Sequence, residues 1–384
     1  MDEKVALLII APEDPLGALP AVEAALAGQC TLVPVAPDKA DDPHALAACE
    51  ATVPEGTALL MGTSGSTGAP KYAALSAAGL LAAADASAAA LGGHGQWVLS
   101  LPAHHIAGMQ ILVRSLRAGT APIPMDLSQG FNVEDFFHAT SRAKEAAAGR
   151  PLFCSLTPML ITKILDTPGG AAVLASYHSV LVGGGAVRPE IHARAAEAGI
   201  TMVETYGSSE TSGGVVYNGR ALPGVSIELE GEDGTHCGRV LLRGPMIAQG
   251  YVNAPNDCFP SPGSWLSSDR GRITDDGCLQ IIGRADSLIE TGGLKVQPES
   301  VEQVFAAVPG VTGVCALGLP DATFGNRLVL AWSGGATEDV IHEAAQSLPG
   351  WMRPKNYYHW ETLPTTALGK VARHVVREQL MHGA

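Results

Sequence analysis

The chain is poor in charge, in aromatic rings and in long apolar runs, and each shortage excludes something. Charged residues make up only 16% of the 384 and aromatic ones 5%, whereas hydrophobic residues reach 46%, with 45 Gly and 26 Pro. Such a composition excludes disorder and a coiled coil and marks a compact, turn-rich globular chain. There are 24 basic residues against 38 acidic ones, for a net charge of −14. A polyanion is repelled by that balance unless cations cluster, and no cluster stands out, so neither nucleic acid nor an anionic membrane is an expected partner. The apolar stretch Val5 to Ala11 follows the acidic start Met1-Asp2-Glu3-Lys4 and is too short for a membrane span or a signal segment. Seven cysteines (Cys30, Cys49, Cys154, Cys237, Cys258, Cys278 and Cys315) lie far apart, with no CxxC or Cys/His ligand spacing. Free thiols in a reducing cytoplasm are therefore expected.

At roughly 150 residues each, this length predicts about two to three domains. From Val5 to about Asn218, short apolar runs alternate with Ala-rich helical stretches. That alternation predicts an α/β fold of layered, mostly parallel sheets covered by helices. Runs predicted as strands include Thr31 to Val35, Leu152 to Leu156 and Val180 to Val182; Leu75 to Leu91 and Pro189 to Ala198 read as amphipathic helices. From Leu222 to Ile282 short β runs broken by Gly, Pro, Asn and Asp predict a small strand-rich subdomain. After Gly283-Arg284-Ala285-Asp286 a fresh α+β pattern begins, so the expected division is 1–284 for a large domain and 285–384 for a small one.

The loop Met61-Gly62-Thr63-Ser64-Gly65-Ser66-Thr67-Gly68-Ala69-Pro70-Lys71 gathers hydroxyls, glycines and one Lys behind a predicted strand. Backbone N–H groups, hydroxyls and an ammonium can together surround phosphate oxygens. A flexible Gly/Ser surface loop is the bland alternative. No Walker A register fits, and Gly183-Gly184-Gly185 lacks the spacing of the dinucleotide fingerprint, which disfavours both a kinase-type loop and a Rossmann dehydrogenase.

Thr63 to Lys71 resembles the signature loop of the adenylate-forming superfamily, which comprises acyl-CoA ligases, luciferases and peptide-synthetase adenylation domains. Further motifs follow in that family's order: Pro102-Ala103-His104-His105-Ile106-Ala107-Gly108, Tyr206-Gly207-Ser208-Ser209-Glu210, Ser268-Asp269, Gly283-Arg284-Ala285-Asp286, Gly292-Gly293-Leu294-Lys295-Val296 and Pro364 to Lys370. The resemblance implies activation of a carboxylate by attack on the α-phosphate of ATP. It also implies a large AMP-binding domain with a small mobile lid.

The resemblance further implies a role for each motif. Thr63, Ser64, Gly65, Ser66, Thr67, Gly68 and Lys71 suit the β- and γ-phosphates. Tyr206 offers adenine a ring, Gly184, Gly185, Gly207 and Ser208 line the nucleotide, Ser209 bonds an α-phosphate oxygen, and Glu210 offers Mg²⁺ a hard oxygen. Asp269 would accept from both ribose hydroxyls and Arg284 would donate to them. An ordinary turn Asp in the run Ser267-Ser268-Asp269-Arg270-Gly271 is the bland alternative, and the context of the other motifs favours the ribose ligand. His105 would gate the acid channel; an ionised carboxylate needs no general base. Lys370 would span carboxylate and α-phosphate, and Asp286 would be the hinge that exchanges Lys370 for Gly292-Gly293, where the thiol of CoA attacks.

Val182-Gly183-Gly184-Gly185 and Thr205 to Ser212, with Leu101 to Leu112, resemble one branch, the 2-succinylbenzoate:CoA ligases of menaquinone biosynthesis. Gly183, Gly184, Thr211, Ser212 and Gly213 would then face the acid; Arg188 is a candidate cation for its second carboxylate, with a solvated helix-start residue as the favoured reading. Other readings are an aryl or medium-chain acid ligase, an adenylating enzyme that loads a carrier protein, and a silent nucleotide-binding regulator. The expected partners are a small carboxylic acid, ATP, Mg²⁺ and CoA, with a homodimer as the candidate assembly. Only 62 residues precede Thr63, so the resemblance implies a shortened member of its family.

Overall fold

A computed structural model describes residues 5–63, 70–231, 237–365 and 371–382. Its first sheet has the order β1 (Val5–Ile9), β2 (Thr31–Val35), β3 (Thr57–Thr63), β4 (Lys71–Ser76), with β1, β2 and β3 parallel and β4 antiparallel to β3. Helices α1 (Leu19–Leu26) and α2 (Pro43–Cys49) make its crossovers. The second sheet is built from β5 (Gln96–Leu99), β6 (Ile123–Pro124), β7 (Leu152–Leu156), β8 (Ser179–Gly183), β9 (Met202–Ser208), β10 (Gly213–Tyr217) and β11 (Arg220–Ala221). Its spatial order is β11-β10-β9-β8-β7-β5-β6, and it is parallel from β9 to β6. Strand β7 is buried along its whole length and β8 along four of its five residues, so their sequences read as continuous apolar runs rather than alternating ones.

Helices α3 (Ala77–Ala90) and α4 (Ile106–Ala118) lie with α1 between the two sheets, in one core shared by Leu59, Leu75, Leu80, Met109, Leu112 and Val215. This position explains the composition of α3. Gly79, Leu80, Ala83, Ala84, Ala86 and Ser87 are all buried, so the helix is wrapped on several sides instead of having one apolar stripe. Helices α5 (Val133–Ala147), α6 (Pro158–Leu165), α7 (Gly170–Ala175) and α8 (Pro189–Glu197) cover the outer face of the second sheet around Phe136, Ile161 and Val180.

A third, wholly antiparallel sheet follows, in the order β12 (Ser226–Glu230), β13 (Gly238–Arg243), β14 (Ser264–Ile273), β15 (Leu279–Arg284). The run at Ser267 to Gly271 is no turn. It lies inside β14, where Arg270 and Gly271 pair with both neighbours, Asp269 pairs with β15, and Ser267 and Ser268 fall at an irregularity in the ladder to β13. Beyond it come the hairpin β16 (Ile289–Thr291) and β17 (Leu294–Val296), helix α9 (Pro298–Ala306), and strands β18 (Val311–Asp321) and β19 (Gly325–Gly334). Helix α10 (Glu338–Ala345), strand β20 (Asn356–Trp360) and helix α11 (Arg373–His382) complete the chain's elements. One face of the β18-β19-β20 sheet packs on α9 and α10 through Phe305, Leu330 and Ile341, and the other on α11 through Val376 and Leu380. Gly292 and Gly293, at φ 57° and 77°, make the tight turn of the β16–β17 hairpin, a backbone that side chains with a Cβ rarely adopt.

Candidate functional site

Part of the expected site, Thr63, His105, Gly183 and Tyr206 to Ser208, lies at or just beyond the carboxyl ends of parallel strands, where open α/β sheets place ligands, whereas Asp269 and Arg284 lie on the antiparallel third sheet. Thr63 ends β3 and Lys71 begins β4, and the two face each other as an antiparallel ladder pair, so the candidate phosphate motif is anchored at both ends by paired strands. Its residues Ser64, Gly65, Ser66, Thr67 and Gly68 lie outside the described residues, as does Lys370. Gly183 closes β8, and Gly184 follows at φ 82°. At Gly207 of β9 a Cβ would stand 2.1 Å from the carbonyl oxygen of Gly213, so the close approach of β9 and β10 requires glycine there.

Tyr206 reaches from β9 to the third sheet, where its hydroxyl donates to Asp269 Oδ2 at 2.8 Å. Burial first, and then the negative Asp269, push the phenol pKa well up, so the hydroxyl stays a donor. Asp269 is ladder-paired with Arg284, whose guanidinium lies 3.9 Å from Asp269 Oδ1 and forks onto Asp286 at 2.8 and 2.6 Å. The hydrogen bonds from that fork lower the Asp286 carboxyl and raise Arg284. Candidate adenine ring, ribose ligand and hinge thus form one connected set.

Glu210 sits in the short 3₁₀ turn Ser209–Thr211, only 7% exposed. Its Oε1 accepts from the Tyr251 hydroxyl at 2.6 Å, and Oε2 takes no hydrogen bond from the described residues. No group of three or more His, Cys, Asp or Glu that could hold a metal occurs among the described residues. One carboxylate oxygen does not make a protein-only metal cage. It does suit Mg²⁺, which keeps waters and substrate phosphates as its other ligands.

His105 is the N-cap residue of α4, and its ring lies 4.3 Å from that of His104. Desolvation lowers both imidazoles, and His105 adds to the lowering of His104, which falls to about 4. A neutral pair at neutral pH fits a gate rather than a cation. Thr211 and Ser212 are buried, and their hydroxyls are committed to the backbone, Thr211 to Gly213 O at 2.6 Å and Ser212 to Met246 O at 2.8 Å. Gly213 packs against Gln110 of α4. Arg188 pairs with Glu190 at 2.8 Å on α8.

Sequence reasoning passed over three side chains. Arg114 lies on α4 four residues beyond Gln110, on the side facing β10. It is only 6% exposed, donates to the Tyr217 hydroxyl at 3.3 Å and lies 4.9 Å from the centre of the Trp97 ring. No carboxylate of the described residues pairs with it, and its Nε is buried without a partner. The spacing Gln110, Arg114, Arg117 in an otherwise apolar helix was the available signal. Tyr251 and Asn253, described below, sit in a Gly/Pro/Asn-rich stretch that reads only as loop. In addition, a cavity of about 440 Å³ is lined by Arg239 and Arg270 of the third sheet, Lys295 of β17, Glu230, Ala285 and Leu288.

Residues 4–252 match the family described as AMP-binding enzyme, and residues 300–370 match the AMP-binding enzyme C-terminal domain. The chain belongs to the AMP-binding enzyme family. It is 37% identical over 365 residues to a probable 2-succinylbenzoate–CoA ligase of Mycobacterium tuberculosis, covering 92% of this chain and 93% of that protein. A 2-succinylbenzoate–CoA ligase of Enterococcus faecalis is 28% identical, over 83% of this chain and 69% of its own length. Among solved structures, o-succinylbenzoate CoA synthetase (MenE) from Bacillus subtilis, in complex with its acyl-adenylate intermediate, superposes with a TM-score of 0.80 at 20% identity, covering 98% of this chain and 88% of that one. No helix among the described residues is long and apolar enough to cross a membrane.

Proposed function

We propose that this chain is an ATP-dependent acid–CoA ligase that works through an acyl-adenylate, with 2-succinylbenzoate as its acid and a place in menaquinone biosynthesis. The observation that carries the reading is the 37% identity extending over 93% of the mycobacterial relative. The site supports it residue by residue. Tyr206 and Asp269 offer a ring and a carboxylate to adenosine, and Lys71 and Glu210 flank the place for the polyphosphate and its Mg²⁺. The metal, when bound, would neutralise phosphate charge; Glu210 is the residue that would hold it.

In the first half-reaction the acid's carboxylate oxygen attacks the α-phosphorus, the bond to pyrophosphate breaks, and the acyl-adenylate remains. Two anions must meet, so the chain's work is neutralising charge and holding the reactants in line. Lys71 serves the departing pyrophosphate, and by resemblance Lys370 serves the attacked phosphate. In the second half-reaction the CoA sulfur attacks the acyl carbon, the thiol proton is lost and AMP leaves. The proposed lid, 285–384, pivots at Asp286 between the two. The cationic cavity at Arg239, Arg270 and Lys295 suits the phosphates of CoA. A cytoplasmic setting fits the described cysteines, none of which forms a disulfide.

A second carboxylate distinguishes this acid from fatty and simple aryl acids. ATP–pyrophosphate exchange with a panel of acids tests the reading: 2-succinylbenzoate should support exchange, and addition of CoA should yield the thioester, AMP and pyrophosphate. Exchange with benzoate or fatty acids alone, transfer to a carrier protein instead of CoA, or formation of ADP would each refute it.

A further inference from the structure

Residues 248–253 form a strap between the two halves of the phosphate-handling site. The Ala248 amide donates to the carbonyl of Glu210 at 2.8 Å. The next residues then run antiparallel to β4: Gln249 N donates to Ala74 O, Ala74 N to Gly250 O and Val252 N to Tyr72 O, with Ala73 bridged to Tyr251. Asn253 brackets Lys71, since its Oδ1 accepts from Tyr72 N at 2.8 Å and its Nδ2 donates to Pro70 O at 2.9 Å. Tyr251 reaches both functional groups at once. Its hydroxyl donates to Glu210 Oε1 at 2.6 Å, and the ammonium of Lys71 lies 5.3 Å from its ring centre. The ring is braced edge-on by Phe259 at 5.3 Å, and the Tyr251 amide donates to Asn256 Oδ1 at 2.6 Å.

We infer that Tyr251 is a positioning residue that fixes the spacing between the cation at Lys71 and the carboxylate at Glu210, with Asn253 holding the backbone on either side of Lys71. The inference deepens the proposed function and rests on its reading of those two residues. The chemistry follows from the geometry. A donor on Oε1 restricts rotation of the carboxylate and leaves Oε2 without a hydrogen bond from the described residues, as a metal ligand needs. The electron-rich ring face holds an ammonium while leaving its three N–H donors available to phosphate oxygens. Phosphoryl transfer is sensitive to such placement because positioning supplies much of its rate.

The test is calorimetric binding of ATP to the full chain, with and without Mg²⁺, alongside thermal melting. Tyr251→Phe keeps the ring and removes the hydroxyl's bonds to Glu210 and to the Cys258 thiol. Its metal-free ATP affinity should stay within about 2-fold of wild type, while the tightening conferred by Mg²⁺ shrinks by about 5- to 10-fold, the scale of one charge-assisted hydrogen bond partly replaced by water. Tyr251→Leu also removes the ring and should weaken metal-free pyrophosphate binding several-fold, as should Asn253→Ala. Equal weakening of Tyr251→Phe in both arms, or an unchanged response to Mg²⁺, overturns the inference and leaves the proposed function standing. Failure of the wild-type chain to bind ATP in either arm overturns the proposed function itself.

Discussion

The hydroxyl of Tyr206 donates to Asp269 across a gap between two sheets, at 2.8 Å. A single side chain on β9 therefore aims the carboxylate on β14 that is proposed to receive the ribose. Tyr206→Phe keeps the ring for adenine but removes the phenol's hydrogen bond from that carboxylate, which still has Arg284 beside it. ATP affinity by calorimetry should fall about 3- to 10-fold, corresponding to roughly 1 kcal/mol for one hydrogen bond. An unchanged affinity would show that Asp269 needs no such guide.

Acid should destabilise the chain through His104. Its folded-state pKa of about 4 is below the ordinary 6.5, so between those values the unfolded chain binds the extra proton. Stability from this group is thus present above about pH 6.5 and is lost as pH falls toward 4. Thermal melts from pH 7 to 4 should show a downward slope that His104→Gln flattens. A slope identical in both proteins would place the acid sensitivity elsewhere.

Arg373, at the start of α11 and three residues past Lys370, donates to Glu302 at 2.6 Å and to the Ala316 carbonyl at 3.0 Å. Burial pushes Glu302 up to about 7 despite that cation and the Ala316 amide. Arg373→Gln leaves a mostly buried carboxyl without its countercharge and should cost about 1.5–3 kcal/mol by urea unfolding. Adding Glu302→Gln to that variant should recover part of the loss, and a failure to recover any would mean the pair is not the cause.

Lys295→Ala should raise the KM for CoA about 3- to 10-fold while sparing ATP–pyrophosphate exchange, a split that separates the cavity's role from adenylation. Loss of exchange would argue instead for damage to the first half-reaction.

Much of this arrangement was legible in the sequence because it depends on local patterns. The apolar runs at Leu152 to Leu156 and Val180 to Val182 are strands in the second sheet, and the motifs around Tyr206, Glu210 and Asp269 mark the elements on which those residues sit. Strand β14 was harder to see. Its Ser267-Ser268-Asp269-Arg270-Gly271 run has neither alternation nor an apolar face, and only its neighbours β13 and β15 make it a strand. Tyr251 and Asn253 were invisible for a related reason: their partners, Glu210 and Pro70, lie 41 and 183 residues away. The commitment of the Thr211 and Ser212 hydroxyls to the backbone was likewise beyond any spacing argument.

The pairing of Thr63 with Lys71 also says where this chain can be lengthened. Residues inserted between those two positions enlarge only the loop and leave the lysine seated on the first residue of β4. One residue inserted after Lys71 would shift the strand by one step, and every side chain from Tyr72 to Leu75, now buried, would trade faces. A library of loop-length variants should therefore tolerate additions up to the lysine and lose folding abruptly just beyond it.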